Sequence, residues 1–316
     1  MSPGVTWRSV CVGILVIGAL AVAGVAATSA PTTRTVAPPV PLAGAATSYA
    51  DTTWVWTGRA LCQRGAEALG TGLLRREGTG ASVALSVPLV VVQALAAGPD
   101  GLLASGRDAR CRPTALVSRD HGRTWLDRAE LAGSVSLDAS GSRTVWHVPG
   151  GDGATVRRTT GLTELPVRQP CPRGTAASLV SSRGSEAWLL CQDPLGLQRT
   201  LAHTSDGGAN WDVPGNELSG SGLDGVGLAR TLDLRQAPSG WLLKPARRCP
   251  EGELRVTRNG GSDWESLPCP RATIPVSQVL TVAFTDAQRG VLAGMRGVRV
   301  VLAETADGGR SWTLTQ

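Results

Sequence analysis

Short apolar runs recur in pairs along the chain, each pair split by a few polar or turn-forming residues. The paired segments are Ala94–Leu103, Leu137–Trp146, Leu179–Trp188, Leu234–Trp241 and Phe284–Val291. Runs of this length, bounded by Gly, Asp and Ser, predict short buried strands joined by tight turns. In each pair a bulky residue stands near the start of the second strand. Taking Leu102, Trp146, Trp188, Trp241 and Val291 as equivalent gives intervals of 44, 42, 53 and 50 residues. A period in this range means that the fold is assembled from copies of one supersecondary unit.

A second pattern punctuates the first. Four octets are nearly the same: SRDHGRTW at Ser118–Trp125, TSDGGANW at Thr204–Trp211, TRNGGSDW at Thr257–Trp264 and TADGGRSW at Thr305–Trp312. Asp or Asn followed by Gly supplies the positive φ of a tight hairpin, and the side-chain oxygen accepts neighbouring backbone N–H groups. The closing Trp is large enough to cover the hairpin and is expected to seal it against the next unit. The four Trp residues lie 86, 53 and 48 residues apart. The first interval is close to two periods, so one unit, about residues 133–170, has an eroded turn at Arg157–Thr163. Trp56, 46 residues before Leu102, adds a first unit at residues 52–88 with a degenerate turn near Glu77–Gly80. Six units of four short strands each predict an all-β propeller, with five- and seven-bladed rings left open. The stretch before Trp54 is expected to be the innermost strand of blade 1.

The octets resemble the Asp-box, or BNR repeat, of sialidases, sortilin-type receptors and the photosystem II assembly and stability factor family. The resemblance covers roughly residues 52–316. It implies that each octet lies on the turn between the third and fourth strands of a blade. It also implies structural rather than catalytic roles for Asp120, Gly122, Trp125, Asp206, Gly208, Trp211, Asn259, Gly261, Trp264, Asp307, Gly309 and Trp312.

Outside the blades the chain divides twice more. Residues 10–27 are uncharged and apolar, follow Arg8 and end in small residues. That length sits between a signal peptide and a spanning helix. The expected domains are a signal-anchor helix or signal peptide at 1–27, a Pro/Thr/Ala-rich tether at 28–50 and the propeller at 51–316. The favoured location is the cell membrane, single-pass with an extracytoplasmic propeller; secretion after cleavage is the alternative.

Six cysteines follow Cys11, and six cysteines in an exported chain read as disulfides with 15 pairings. Blade alignment puts Cys111, Cys171, Cys191, Cys249 and Cys269 on the face opposite the octet turns. The favoured pairs are Cys171–Cys191 and Cys249–Cys269, each within one repeat spacing, which leaves Cys62–Cys111. No CxxC or His/Cys cluster supports zinc.

The net charge is +6, carried almost wholly by Arg, with Lys244 the single lysine. Arg110, Arg112, Arg173, Arg247, Arg248 and Arg271 flank cysteines, so they are expected to gather on the cysteine face. There they would attract an acidic protein segment or an anionic envelope component. A solvated rim of scattered charges is the competing reading. Nucleic-acid binding would need exposed aromatics between the basic residues.

The sequence lacks the parts of an enzyme site. A sialidase needs a Tyr–Glu nucleophile pair, three substrate-binding arginines and an Arg-Ile-Pro string. The one tyrosine, Tyr49, falls in the tether, and no Arg-Ile-Pro occurs. Glu251/Glu253 and Asp127/Glu130 read as ordinary loop charges rather than an opposed glycosidase pair. His121, His147 and His203 fall in different blades, and no Walker, dinucleotide or Gly-x-Ser-x-Gly motif is present. The sequence therefore predicts a monomeric, non-catalytic interaction scaffold without cofactor or metal. The alternative is a divergent carbohydrate-active protein, lectin or glycosidase.

Overall fold

The computed structural model describes residues 42–59, 62, 72–78, 80–139, 144–150, 155–213 and 228–315. The apolar run at 10–27 and most of the 28–50 segment lie outside these residues. Among the described residues no helix is long and apolar enough to cross a membrane.

The sheets are six antiparallel blades, each continuous in sequence. Blade 1 is β1 Leu42–Tyr49, β2 Thr52–Arg59, β3 Gly72–Glu77 and β4 Val83–Leu85. Blade 2 is β5 Val91–Gly98, β6 Gly101–Arg107, β7 Pro113–Ser118 and β8 Leu126–Asp127. Blade 3 is β9 Ser134–Asp138, β10 Thr144–Pro149, β11 Arg157–Thr160 and β12 Thr163–Leu165. Blade 4 is β13 Ala176–Arg183, β14 Glu186–Gln192 and β15 Arg199–Thr204. Blade 5 is β16 Thr231–Asp233, β17 Gly240–Lys244, β18 Glu253–Thr257 and β19 Glu265–Ser266. Blade 6 is β20 Gln278–Phe284, β21 Gly290–Arg296, β22 Arg299–Thr305 and β23 Thr313–Leu314. In blade 4 the fourth strand is reduced, among the described residues, to the bridge between His203 and Asp212. The first strands β1, β5, β9, β13, β16 and β20 neighbour one another in a closed ring.

Two boundaries differ from the sequence reading. β1, at Leu42–Tyr49, is the innermost strand expected before Trp54, but it extends into the stretch assigned to the tether, so Tyr49 ends a blade strand instead of lying in the tether. The strand is made of small residues because the channel is narrow: a Cβ on Gly44 would come within 2.9 Å of Leu280 Cβ. In blade 3 Arg157–Thr160 is a strand, and the turn shrinks to Gly161-Leu162. The residue equivalent to Trp146, Trp188 and Trp241 is Trp54, two before the Trp56 used to count blades. Trp54 pairs with Thr47 as those three pair with Asp138, Ser181 and Asp233.

That register position locks the blades together. Thr47 Oγ1 accepts Ala97 N at 3.1 Å, and Asp138 Oδ2 accepts Ser182 N at 2.9 Å. Ser181 Oγ accepts Leu234 N at 2.8 Å, and Asp233 Oδ2 accepts Phe284 N at 3.2 Å. Each bond gives a backbone donor at a first strand's end a partner on the preceding blade, which its own sheet does not supply. The apolar core lies between blades, as in the stack of Trp241 on Phe284 with ring centroids 3.7 Å apart.

Candidate functional site

The octets form one turn four times. In the first, Ser118 Oγ donates to Asp120 Oδ1 at 2.7 Å and accepts Gly122 N at 2.6 Å. Thr124 donates its N–H to Asp120 Oδ1 and its hydroxyl to Oδ2, at 2.8 and 2.7 Å. Asp206 with Asn210 and Asp307 with Ser311 repeat the arrangement. The second Gly of the turn, Gly122, Gly208, Gly261 or Gly309, has φ of 90–96°, which a side chain rarely adopts. Hydrogen bonds from Thr124 and Ser118 hold the Asp120 carboxyl far below its ordinary range. Those from Asn210 and Thr204 lower Asp206 to about 2. Carboxylates so occupied are poor proton donors near neutral pH.

The closing Trp packs against the preceding blade, not the next. Trp125 Nε1 donates to Ser86 O after β4, and Trp211 meets Trp146 of blade 3 edge-on. The octet turn is flanked by the blade before it, because second-strand tryptophans reach forward to it. Trp54, Trp188 and Trp241 donate Nε1 to the fourth octet residue of the following blade, namely His121, Gly260 and Gly308.

The opposite face carries the disulfides. Cys62–Cys111 ties blade 1 to blade 2, Cys171–Cys191 ties the end of blade 3 to β14, and Cys249–Cys269 closes across blade 5. Arg110, Arg112, Arg173, Arg247, Arg248 and Arg271 are all exposed on this face. They do not form one patch. Arg247, Arg248 and Arg271 surround Cys249–Cys269, whereas Arg110 and Arg112 belong to blade 2, three blades away in a ring of six. Arg112 is held by Asp108, with Nη2 2.7 Å from Oδ2, and that carboxylate also accepts the N–H groups of Arg110 and Arg112. Those contacts, led by the Arg112 N–H, lower Asp108 below its usual value. Arg110, Arg173, Arg247, Arg248 and Arg271 have no carboxylate partner among the described residues.

Glu251, in the turn before β18, and Glu253, on β18, are both buried rather than ordinary exposed loop charges. Glu253 lies 3.5 Å from Lys244 Nζ and 3.3 Å from Arg255, and accepts Ser266 Oγ at 2.7 Å. Burial raises its pKa, but these contacts outweigh it and leave Glu253 ionised; burial pushes Lys244 down. Glu251 Oε1 accepts Arg271 N, while Oε2 is buried without a partner. Glu251 lies beside Cys249 and Cys269, whose sulfurs are committed to each other.

The sequence did not reveal the lock at the channel's octet end. Arg235 chelates Asp233 through Nε at 3.0 Å and Nη2 at 2.8 Å. Its Nη1 donates to Thr47 Oγ1 and Ser48 O on blade 1. Burial alone would lower the Arg235 pKa, but Asp233 raises it above the ordinary value. The channel itself holds a cavity of about 80 Å³. Its octet-end charges Asp233 and Arg235 are paired with one another.

No protein-family model and no curated protein sequence matches the chain. Solved structures resemble it in fold. A six-bladed fungal lectin from Aleuria aurantia, with a fucose recognition mode, shares 11% identity over 88% of this chain and 95% of its own, with a TM-score of 0.54. The Hadza microbial sialidase Hz136 shares 12% over 87% and 65%, with a TM-score of 0.51. YCF48 bound to a D1 peptide shares 15% over 88% and 83%, with a TM-score of 0.46. At these identities the likeness to the lectin and the sialidase shows the fold alone, a β-propeller, and a fold does not fix a function.

Proposed function

We propose that this chain is a non-catalytic interaction scaffold, tethered to the membrane by its N-terminal apolar segment with the propeller outside the cytoplasm. Three disulfides support the oxidising compartment. The observation that carries the reading is the exposed, unpartnered Arg247–Arg248–Arg271 cluster, pinned to a rigid blade by Cys249–Cys269. A fixed cationic surface of this kind favours an acidic protein segment or an anionic envelope component, because the loop ordering cost is already met.

Replacing Arg247, Arg248 and Arg271 with Ser tests the reading. Capture of envelope components by the triple variant should fall well below that of the parent, with melting temperature unchanged. Equal capture would discard the cationic face as the binding surface. A fluorogenic glycoside panel guards the non-catalytic claim: turnover by the purified propeller would overturn it.

A further inference from the structure

The blade 3–4 and blade 4–5 seams are built alike on the octet face but filled differently. Between blades 3 and 4, Arg158 on β11 pairs with Trp146 in register and lies over its ring, 5.5 Å from the centroid. Its Nη1 donates to Gly207 O, the fourth residue of the next octet, at 3.1 Å. The guanidinium fills the seam so fully that a Cβ on Gly207 would sit 2.3 Å from Nη1.

Between blades 4 and 5 the matching third-strand residue is His203, in register with Trp188, its ring 4.9 Å from the indole. Imidazole is shorter than the arginine side chain and stops short of the next blade. The matching octet glycine, Gly260, has nothing within 4 Å of where its Cβ would be. A cleft of about 530 Å³ results, lined by Trp188, Leu201, Pro238 and Gly261 with Glu186, His203 and Asp212 among its polar groups. Glu186 bridges His203 Nε2 at 3.1 Å and Arg183 at 3.3 Å. The Asp212 carboxylate is exposed and has no hydrogen-bond or ion-pair partner among the described residues.

We propose that the blade 4–5 cleft receives a guanidinium group, the arginine side chain of a partner polypeptide, in the place that Arg158 fills between blades 3 and 4. Gly260 O accepts Trp188 Nε1 at 3.0 Å, and its second lone pair can take the contact that Arg158 makes to Gly207 O. Asp212 adds a charge partner that the blade 3–4 seam does not need. This site faces away from the arginine cluster, so it stands or falls independently of the scaffold reading.

The probe is N-acetyl-arginine-amide titrated into the purified propeller, read by the NMR shift of the Trp188 indole N–H and assigned with Trp188→Phe. A saturable shift is expected, with half-saturation in the millimolar range, about −4 kcal/mol at 1 mM. N-acetyl-citrulline-amide, which is neutral and nearly isosteric, should shift it little. Asp212→Asn should weaken arginine binding by about threefold or more. His203→Arg, which turns the seam into a copy of its neighbour, should abolish binding while the protein stays folded. Equal response to citrulline, unaltered binding by Asp212→Asn, or no saturable shift would overturn the proposal. Saturation by fucose or another sugar instead of arginine would do the same. Should His203→Arg fail to fold, the citrulline and Asp212→Asn arms decide.

Discussion

Asn259 donates its side-chain amide to Asp263 at 2.8 Å, which reverses the polarity of the contact found in the other three octets. Elsewhere the third residue is Asp and accepts from a donor four positions on: Thr124, Asn210 or Ser311. In the third octet both positions have exchanged roles, and the backbone bond from Asp263 N to Asn259 Oδ1 is kept at 2.9 Å. The turn needs one donor and one acceptor at this pair, not a particular residue at either place.

Asn259→Asp alone should therefore set two carboxylates against each other and lower stability by roughly 1 kcal/mol, which is about 3 °C in melting temperature. Adding Asp263→Ser should restore it. A double-mutant cycle read by thermal denaturation checks this, and additive losses would contradict the exchanged-role account.

The octets could be recognised in sequence because the hydrogen bonds that shape each turn are local, within four residues. The disulfides were equally accessible once the blades were aligned, since each pair falls at predictable loop positions on one face. What the sequence hid depends on distance. A strand before Trp54 is expected, but its start at Leu42 reads as tether because Gly44, Ala45 and Ala46 are small, and they are small because β1 packs against β20, about 230 residues away. The Arg158 plug and its absence at His203 join positions about 50 residues apart, and no periodicity marks them. Glu253 reads as a loop charge because its burial rests on Lys244 and Ser266, which only the sheet brings together.

Stability should fall on mild acidification through His147. The ring is buried on β10, with Nδ1 3.1 Å from Ser134 Oγ and Nε2 without a partner. Burial and, after it, the charge of Arg157 lower its pKa to about 4. The folded state holds His147 neutral while the unfolded chain protonates it below about pH 6.5. Unfolded chains thus bind the extra proton between pH 6.5 and 4, and stability drops as pH falls through that window. At pH 5 the loss attributable to this group is on the order of 2 kcal/mol. Urea melts at pH 7 and 5 should show a smaller difference for His147→Gln than for the parent. An equal difference would assign the pH dependence to other groups.

The disulfides should differ in worth with the length of chain each closes. Cys62–Cys111 spans 49 residues, and each of the others spans 20. Loop entropy gives about 4 kcal/mol for the first and about 3 kcal/mol for each of the others. Paired Cys→Ser variants should rank in that order in denaturant midpoint. If Cys171–Cys191 proves costlier than Cys62–Cys111, the difference belongs to blade 4, whose fourth strand is reduced to the His203–Asp212 bridge.

Arg235 should be the residue on which ring closure depends most. The seam between blades 6 and 1 is the one place where consecutive blades are not joined by the chain. Arg235 reaches it from blade 5, bonding Thr47 and Ser48 of blade 1 while Ser48 Oγ donates to Phe284 O of blade 6 at 2.5 Å. Arg76 of blade 1 pairs with Glu304 of blade 6 further out. Arg235→Met removes every polar contact of the guanidinium and leaves the buried Asp233 carboxyl without its cation. The expected cost is about 3–5 kcal/mol, most of it from the buried carboxyl left without its partner. Asp233→Asn in the same chain should recover a large part, because an amide can still accept Phe284 N without carrying charge. Hydrogen exchange separates seam opening from general loosening. In Arg235→Met the amides of β1 and β20 should lose protection before those of β9 and β13, and uniform loss around the ring would show that Arg235 is no seam clamp.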